Sequence, residues 1–559
     1  MRHFFQPVLI PFLIAYLFFF FLLTAGHLLA VSPEDIRSNL VEQLGYNASE
    51  LFFIKSKGMD TNVSDPLIAN VYRENGFEPL WVDVHGPNRN AVILFKVLKS
   101  ASEQGLDPED YQADQIESYW HRTDSESLAR IDILLTSALH AYVSDVREGR
   151  LDPCIRDPDL FTCARDRSID PVELTAQAFA AKDLSSFLDA QAPNTTQYRE
   201  LRHVLKQYRE IENSGGWLPI PEGPLLRPGK HYPAIPLVRE RLAATGDLDS
   251  EISPDDPSLY DAALEIAVKE FQHRHGLEQD GIIGVATRNA MNIPVSSKIR
   301  QILINMERLR WISRDLGPLY VLVNIAGYRL SLFNDTRQVL EMPVIVGKHY
   351  HKTPVFSSYI NYIELNPYWN IPPSIAKKDI LPKLKTDPGY LSYQQIRVFD
   401  GWKSNARELD PAQIHWTEIT AGQMGGFSLR QDPGPKNLLG RVKFVFPNRF
   451  SVYLHDTPSH NLFQRPERTF SHGCIRLSRP VELAAYLLGG KDSGWDETRI
   501  QEVINTGQRR IVKLKTPVPI HIVYLTVSTG PEGAVYFNRD VYGRDALLDE
   551  ALFEEPLKE

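Results

Sequence analysis

A change in hydrophobic period constrains the fold of this 559-residue chain more than any other feature of its sequence. In the N-terminal half, apolar residues recur at helical spacing, as in 129–147. From Leu319 onward the period becomes two, which predicts strands over 319–325, 328–333 and 338–346. A chain of this length is expected to form several domains, because domains typically contain about 50–200 residues. The sequence therefore predicts a multidomain α+β protein, helical at first and mostly β later.

The composition restricts the classes of partner. Hydrophobic residues make up 43% and charged residues 23% of the chain, and the formal net charge is -9. A nucleic-acid partner requires a basic face to meet the phosphates, and the sequence contains no long basic run. We therefore expect a globular body that does not bind nucleic acid.

The first segment, 1–31, differs from the rest of the chain. Arg2 and His3 precede an apolar run from Val8 to Val31, which is typical of an export signal. The run is longer than the roughly 7–15 apolar residues of a cleaved signal and approaches the roughly 20 that span a bilayer. A signal peptide and an N-terminal anchor in the inner membrane both remain open. Either one places the body of the protein outside the cytoplasm.

The chain contains three cysteines. Cys154 and Cys163 lie in a loop rich in proline and aspartate, where a disulfide is plausible in an exported protein. That pairing would leave Cys474 alone. A free cysteine is often a small buried hydrophobe, but a lone exported thiol is exposed to oxidation, so its neighbours must decide its role.

The first two domains are predicted to be helical. Residues 32–229 form a mainly helical scaffold domain in which we find no catalytic constellation. Prolines and glycines then mark a linker, and 233–294 form a small unit of three short helices. Three short helices make a marginal core, which favours binding over catalysis.

The strand-rich region 300–545 forms the last domain. Within it, 374–385 is predicted to be helical, and 390–439 is irregular and rich in glycine, proline and glutamine. Long irregular segments in compact domains are often active-site lids, so we predict a lid-like insertion there. The C-terminal residues, 546–559, are predicted to form an acidic tail, either helical or extended.

The segment around Cys474 carries the chemistry. Acyl transfer by a thiol requires a thiolate and a nearby base that accepts and later returns the proton. His455 ends a predicted strand, and Cys474 begins another after a loop, so the two side chains can meet. We predict Cys474 as the nucleophile and His455 as the general base and acid.

The remaining residues of the motif are predicted to shape the pocket. Gly473 leaves room for a substrate carbonyl, and its N–H with that of Cys474 could form an oxyanion hole. Ser471 and His472 flank this pocket. Arg476 shares a face with Cys474 and could hold a substrate carboxylate.

Each of these assignments has an alternative. Arg476 could pair with Glu482 on the following helix. His472, Cys474 and His455 could bind zinc, although they lack the usual spacing of a zinc site. The preferred interpretation involves no metal and no cofactor. Tyr368, Trp369 and Asn370 lie in a proline-flanked aromatic run that could line the cleft, or could equally pack in a core.

His455 and the run Ser471–Arg476 resemble the signature of the L,D-transpeptidases with a YkuD-type catalytic domain. Some members carry Asn where this chain has Arg476. The unit at 233–294 resembles a peptidoglycan-binding domain, through the following residues: Val268, Phe271, Gln272, Gly276, Leu277, Asp280, Gly281, Gly284 and Thr287. With the long helical region and the lid-like insertion, the chain resembles the large YcbB-like subgroup.

The resemblance implies a specific reaction. Such enzymes form a cysteinyl thioester with a peptidoglycan tetrapeptide, release D-Ala, and make 3-3 crosslinks in cell-wall biogenesis; carbapenems inhibit them covalently. It also implies the periplasm of a Gram-negative bacterium, with a glycan synthase and a D,D-carboxypeptidase as partners. The alternatives are an L,D-carboxypeptidase or other cysteine hydrolase of wall peptides, and a non-catalytic wall-binding scaffold.

Overall fold

The computed structural model describes residues 31–45, 66–153, 170–249, 256–530 and 533–553. The predicted signal or anchor, apart from Val31, and the cysteine pair, Cys154 and Cys163, lie outside these ranges. None of the helices within them combines the length and hydropathy that a membrane span needs. The described residues divide into two compact units, one formed by those within 1–147 and 167–192 and the other by those within 148–166 and 193–559.

The first unit is mainly helical, as predicted for the scaffold. Its elements are α1 Pro33–Gln43, α2 Pro66–Glu74, β1 Val82–Asp83, β2 Gly86–Pro87, α3 Arg89–Lys99, α4 Ala113–Tyr119, α5 Ser125–Glu148, α6 Pro171–Ala180 and α7 Leu184–Asp189. A buried carboxylate organises its core: Asp132 on α5 accepts the N–H groups of Trp81 and Val82 and the Tyr72 hydroxyl. Burial raises the pKa of Asp132 to about 6.

The second unit begins with a helix that the sequence assigned to the scaffold, α8 Thr196–Asn213. The small three-helix domain follows, with α9 Ile235–Ala244, α10 Ala262–Arg274 and α11 Val285–Met291. The buried amide of Gln272 explains why Gln272, Asp280 and Gly281 occur together in this domain. It donates to Asp280 at 2.8 Å and accepts the Gly281 N–H at 2.9 Å, so it holds the turn that leads into α11.

Helix α12, Val295–Arg310, leads into the large sheet. Its strands are β3 Leu319–Asn324, β4 Arg329–Asn334, β5 Arg337–Gly347, β6 Phe356–Leu365, β11 Val442–Val445, β12 Leu454–His455, β13 Thr469–Ser471, β14 Ile475–Leu477 and β15 Arg510–Val523. Their order is β13-β5-β14-β12-β11-β6-β15-β3-β4, and β4 also pairs with β5. That pairing closes the sheet around an apolar core, and closure removes the unpaired edges that an open sheet would expose.

The first three predicted strands are confirmed as β3, β4 and β5. The strand predicted to end at His455 is the two-residue β12. The long strand β6 was not predicted, because its polar residues do not alternate regularly with its apolar ones. Beyond the sheet lie α17 Pro480–Leu487, α18 Gly490–Ser493, α19 Glu497–Asn505, β16 Val527–Thr529, β17 Val535–Phe537 and α20 Arg544–Phe553.

The predicted irregular character of 390–439 is wrong. With 369–386, this region forms a small folded insertion with β7 Trp369–Ile371, α13 Pro373–Ile375, a π-helical turn Ala376–Ile380, α14 Leu381–Thr386, α15 Tyr390–Tyr393, β8 Ile396–Asp400, β9 Glu408–Leu409, α16 Ala421–Met424 and β10 Phe427–Gln431. The four strands pair in the order β7-β10-β8-β9 over a separate apolar core. The strands are too short, at two to five residues, for alternation to reveal them.

The predicted acidic tail is only partly a tail. Residues 546–553 belong to α20, where Leu548 is buried. Asp545 on the same helix lies 2.5 Å from Arg308 of α12, which ties the helix to the domain. The last residues, 554–559, lie outside the described ranges.

Candidate active site

The site is built on two neighbouring parallel strands, β12 and β14. Leu454 pairs with Ile475 and His455 with Arg476. Leu454 and Ile475 are fully buried in the main core. Because side chains alternate along a strand, His455 and Arg476 lie on the opposite face of the sheet.

Tyr453 and Cys474 each precede that pair by two residues, so they belong to the same face. The Ile475 N–H donates to the Tyr453 carbonyl at 3.1 Å, which brings the two strands together at this point. The predicted nucleophile, Cys474, and the predicted base, His455, therefore lie on the same face of the sheet. They belong to successive cross-strand pairs on that face.

A row of polar residues crosses the sheet on this face. Glu364 on β6 pairs with Lys443 on β11, Lys443 pairs with His455, and His455 pairs with Arg476. Glu364 is buried and forms an ion pair with Arg509. The two cations, Lys443 and Arg476, therefore flank the imidazole on either side.

Cys474 is partly exposed and is the free cysteine of the described residues. Its Sγ lies 3.8 Å from the Ser451 carbonyl oxygen. Burial raises the pKa of the thiol, while the Tyr453 N–H and hydroxyl and the cations of Lys443 and Arg476 act in the opposite direction. Because burial prevails, the resting nucleophile is a neutral thiol.

His455 is buried, with 4% of its surface exposed. Its Nδ1 lies 2.5 Å from the Asp456 carbonyl oxygen, which can only accept, so Nδ1 carries the hydrogen and Nε2 is left as the basic atom. Burial and the nearby Arg476 lower the pKa of His455 to about 3. The resting base is therefore a neutral imidazole, because its surroundings destabilise the protonated form.

The loop between β13 and β14 is held by a set of short hydrogen bonds. Ser471 Oγ accepts the Gly473 N–H at 3.1 Å and donates to the Cys474 carbonyl at 2.5 Å. Thr353 donates to the Gly473 carbonyl at 2.9 Å. Gly473 has a φ of +108°, which strongly favours glycine.

This arrangement alters the expected oxyanion hole. The Gly473 N–H is already bonded within the loop. No residue in the described part of the chain accepts the Cys474 N–H, which leaves that group available to a ligand.

His472 contacts the folded insertion and the segment before β6. Its Nε2 lies 3.2 Å from Asp379 of the π-helical turn, and its ring centre lies 4.9 Å from that of His351. Burial lowers the pKa of His472. Across the described ranges, no group of three or more His, Cys, Asp or Glu side chains is arranged to hold a metal ion.

Arg476 faces the nucleophile rather than the following helix. Burial lowers its pKa, and the neighbouring Cys474 raises it. Its buried Nε has no partner among the residues that the structure describes. The alternative in which Arg476 pairs with Glu482 is wrong, because Glu482 pairs with Arg479 at 2.9 Å.

The aromatic run at the start of the insertion has mixed surroundings. Trp369 is buried in the core of the insertion and hydrogen-bonds the Tyr453 side chain, so it reaches the site indirectly. The Tyr368 ring lies 4.8 Å from the Arg430 guanidinium, and Asn370 is exposed.

Sequence analysis did not single out Tyr453 and Lys443. Tyr453 hydrogen-bonds Cys474, and the Lys443 ammonium lies 4.1 Å from the Tyr453 ring centre. The available signals were the two-residue spacing between Tyr453 and His455, and a lone charge in the apolar strand Val442–Val445.

Residues 318–520 match the family model of the L,D-transpeptidase catalytic domain. Residues 231–291 match a putative peptidoglycan binding domain, and 66–205 match a scaffold domain. The chain therefore carries the catalytic domain of an L,D-transpeptidase together with a peptidoglycan-binding domain and a helical scaffold.

A curated relative is a putative L,D-transpeptidase of Haemophilus influenzae, 33% identical over 262 residues, which cover 46% of this chain and 51% of the relative. The chain thus spans about half the length of that relative. Among solved structures, an L,D-transpeptidase of Xylanimonas cellulosilytica is 16% identical, covering 54% of this chain and 98% of that one, with a TM-score of 0.18. One of Stackebrandtia nassauensis is 13% identical, covering 55% and 96%, with a TM-score of 0.20.

Proposed function

We propose that this chain is a peptidoglycan L,D-transpeptidase that makes 3-3 crosslinks between stem peptides. The observation that carries the proposal is the placement of Cys474 and His455 on one face of adjacent parallel strands, within the matched catalytic domain. That placement provides a nucleophile and a base near one substrate carbonyl.

The first half of the reaction acylates the enzyme. His455 Nε2 takes the thiol proton as Cys474 Sγ bonds to the carbonyl carbon of the third stem residue. The oxyanion accepts the Cys474 N–H. Collapse of this intermediate breaks the C–N bond, and His455 returns the proton to the departing amine of D-Ala. The product is a thioester on Cys474.

The second half transfers the acyl group. The side-chain amine of another stem attacks the thioester carbonyl and gives a proton to His455. The C–S bond breaks, and Cys474 recovers the proton as its thiol. Water in place of the amine would give a carboxypeptidase reaction with the same residues.

Arg476 connects substrate binding to this proton transfer. It is one of the charges that lower the pKa of His455. A carboxylate of the donor stem bound to Arg476 would offset that charge, so the base would become stronger once substrate is bound. The neutral resting pair would meanwhile limit oxidation, because oxidants react with the thiolate rather than with the neutral thiol.

The cellular setting follows from this substrate. The protein would act in the periplasm of a Gram-negative bacterium, released by a signal peptidase or held by its N-terminal segment. A glycan synthase would supply new strands, and a D,D-carboxypeptidase would supply tetrapeptide donors. The folded insertion beside the site would act as its lid, and Asn370 and Tyr368 would line the cleft beneath it.

The acceptor is tested by incubating the purified protein with a disaccharide-tetrapeptide. Mass spectrometry should show a crosslinked dimer with release of D-Ala, and Cys474→Ala should give neither. Tripeptide and D-Ala without dimer would identify a hydrolase instead. Wall binding without any reaction would identify a non-catalytic scaffold.

A carbapenem should form one covalent adduct, because its strained carbonyl would be attacked in place of the stem. Intact-protein mass spectrometry should show the adduct on the wild type and on Cys163→Ser, and no adduct on Cys474→Ala. An adduct that persists in Cys474→Ala would remove Cys474 as the nucleophile.

A further inference from the structure

A cleft of about 710 Å³ lies apart from the Cys474 site, within the second unit. One wall is the turn that follows α10 in the peptidoglycan-binding domain, at 276–279. Another wall is formed by the start of β4, by Glu341 and Pro343 of β5 and by the loop 464–468. Neither Cys474 nor His455 lines it, so it is a separate feature of the molecule.

The walls combine aromatic rings with planar polar groups. The Arg329 guanidinium lies 4.1 Å from the ring centre of Tyr536, and the His273 ring meets the same tyrosine edge-on at 5.6 Å. The amides of Gln279 and Asn538 also face the cleft. Flat apolar surfaces bordered by donors and acceptors suit a ligand with apolar ring faces and many hydroxyl and amide groups.

Two buried donors of the cleft walls lack an acceptor within the described residues. Tyr328 is 7% exposed, and its hydroxyl oxygen accepts the Arg468 N–H, while its own O–H finds no acceptor among the described residues. The Nε of Arg468 is likewise unpartnered within the described part of the chain. Unsatisfied buried polar groups are costly, so they point to a ligand that would complete them.

The nearly balanced charge of the cleft gives no strong attraction to a polyanion. Four arginines and three glutamates line it, and two ion pairs, Arg329 with Glu341 and Arg539 with Glu467, offset most of the charge. Arg465 remains for an isolated carboxylate, whereas the terminal nitrogens of Arg468 already donate to backbone carbonyls. A mostly neutral ligand with an occasional carboxylate fits this balance better than a nucleic acid or a phosphate polymer.

The cleft is connected to the active site by its own wall. The Arg468 carbonyl accepts the Val346 N–H at 2.9 Å, and β13 then leads to the nucleophile loop. Cys474 follows Arg468 by six positions, which is at most about 20 Å of extended chain, while a four-residue stem spans roughly 14 Å. A stem attached to a ligand in the cleft could therefore extend towards Cys474.

We propose that this cleft binds the N-acetylated amino-sugar backbone of the wall polymer and so presents its stem peptides to Cys474. The presentation of stem peptides to Cys474 rests on the proposed function, whereas saccharide binding rests only on the chemistry of the cleft walls. The sugar rings would pack beside Tyr536 and the Arg329 guanidinium that lies over it, and a muramyl carboxylate would meet Arg465.

Binding is tested by calorimetry on the full chain with a stem-free oligosaccharide of alternating N-acetylglucosamine and N-acetylmuramic acid. The double variant Arg465→Ala with Gln279→Ala changes two exposed side chains and should fold normally. We expect it to bind at least roughly tenfold more weakly, or about 1.4 kcal/mol. The control Arg499→Ala, on exposed α19, should bind as the wild type does.

Tyr328→Phe removes one hydroxyl and keeps the ring. Because the O–H has no acceptor in the free protein, its removal should take away a donor to the saccharide, and saccharide affinity should fall. The control is Tyr359→Phe, at an exposed position outside the cleft. Failure of the wild type to bind the oligosaccharide, or wild-type affinity in the double variant, would overturn the proposal.

The same samples separate this proposal from the catalytic one. Cys474→Ala should bind the oligosaccharide with unchanged affinity while releasing no D-Ala from a disaccharide-tetrapeptide. If the wild type released no D-Ala but its saccharide binding still depended on the cleft, the proposed function alone would fail.

Discussion

At the residue scale, the reactivity of Cys474 is governed by burial. Because burial raises the pKa of its thiol, little thiolate exists near neutral pH. We therefore expect slow alkylation by iodoacetamide, with the rate rising about tenfold per pH unit from about pH 7 to about pH 9. Peptide mapping at Cys474 measures this rate apart from the other cysteines. A rate that is independent of pH in this range would mean a stabilised thiolate.

Tyr453→Phe extends that experiment. The tyrosine hydroxyl donates to the sulfur and lowers the pKa of the thiol, so its removal should slow alkylation further at every pH below the plateau. Tyr359→Phe, an exposed matched substitution, should leave the profile unchanged. Faster alkylation in Tyr453→Phe would contradict the hydrogen bond.

Arg476→Met tests the carboxylate clamp. Loss of a charge-assisted hydrogen bond of about 1.5–3 kcal/mol should lower kcat/KM for the tetrapeptide roughly 10- to 100-fold. Because Arg476 also lowers the pKa of His455, the acidic limb of the kcat/KM profile should move to higher pH. The control Arg479→Met lies three positions away and should retain activity. An unchanged kcat/KM would exclude the carboxylate clamp, and an unmoved acidic limb would exclude the effect of Arg476 on the pKa of His455.

The nucleophile and base could be predicted because the motif is contiguous and its chemistry needs few residue types. The position of Tyr453 and Lys443 beside the nucleophile could be inferred from alternation only if β11, β12 and β14 were already known to be neighbours. The engagement of the Gly473 N–H by Ser471 depends on one hydroxyl rotamer, which no sequence pattern reveals.

At the element scale, regular alternation made β3, β4 and β5 predictable. Sequence analysis did not predict β6, because this strand is defined by its pairing with β11 and β15 rather than by its sequence pattern. The folded structure of the insertion was not predicted for a different reason. Its fold depends on a small core assembled from short segments between Trp369 and Leu439.

Trp416→Ala tests whether that core holds the insertion together. The side chain is 2% exposed, so its loss should cost about 3–5 kcal/mol. Hydrogen exchange should rise across 369–439 while the strands of the main sheet stay protected, and D-Ala release should fall. Trp402→Ala removes an exposed tryptophan of the same insertion and should change exchange little. Global unfolding in Trp416→Ala would show that the insertion is not a separate cooperative element.

At the scale of the whole molecule, the second unit gathers segments that are far apart in the chain. Glu307 on α12 is almost fully buried and accepts the Leu151 N–H at 2.9 Å and the Arg310 guanidinium at 2.8 Å. Arg310 in turn donates to the Tyr198 hydroxyl of α8 at 3.1 Å. Tyr198 and Glu307 raise the pKa of Arg310 against the effect of burial, so it stays charged. This explains why α8 belongs with the catalytic sheet, although its sequence resembles the scaffold helices.

Glu307→Gln should therefore destabilise the second unit as a whole. The substitution keeps the shape but leaves a buried guanidinium without its carboxylate, a loss of about 3–5 kcal/mol. Urea unfolding should show this decrease, and D-Ala release at low temperature should persist because the site is remote. The control Glu502→Gln breaks an exposed ion pair with Arg499 and should cost less than about 1 kcal/mol. Equal stability of the two variants would mean that α12 does not depend on this network for its attachment to α8 and the segment at Leu151.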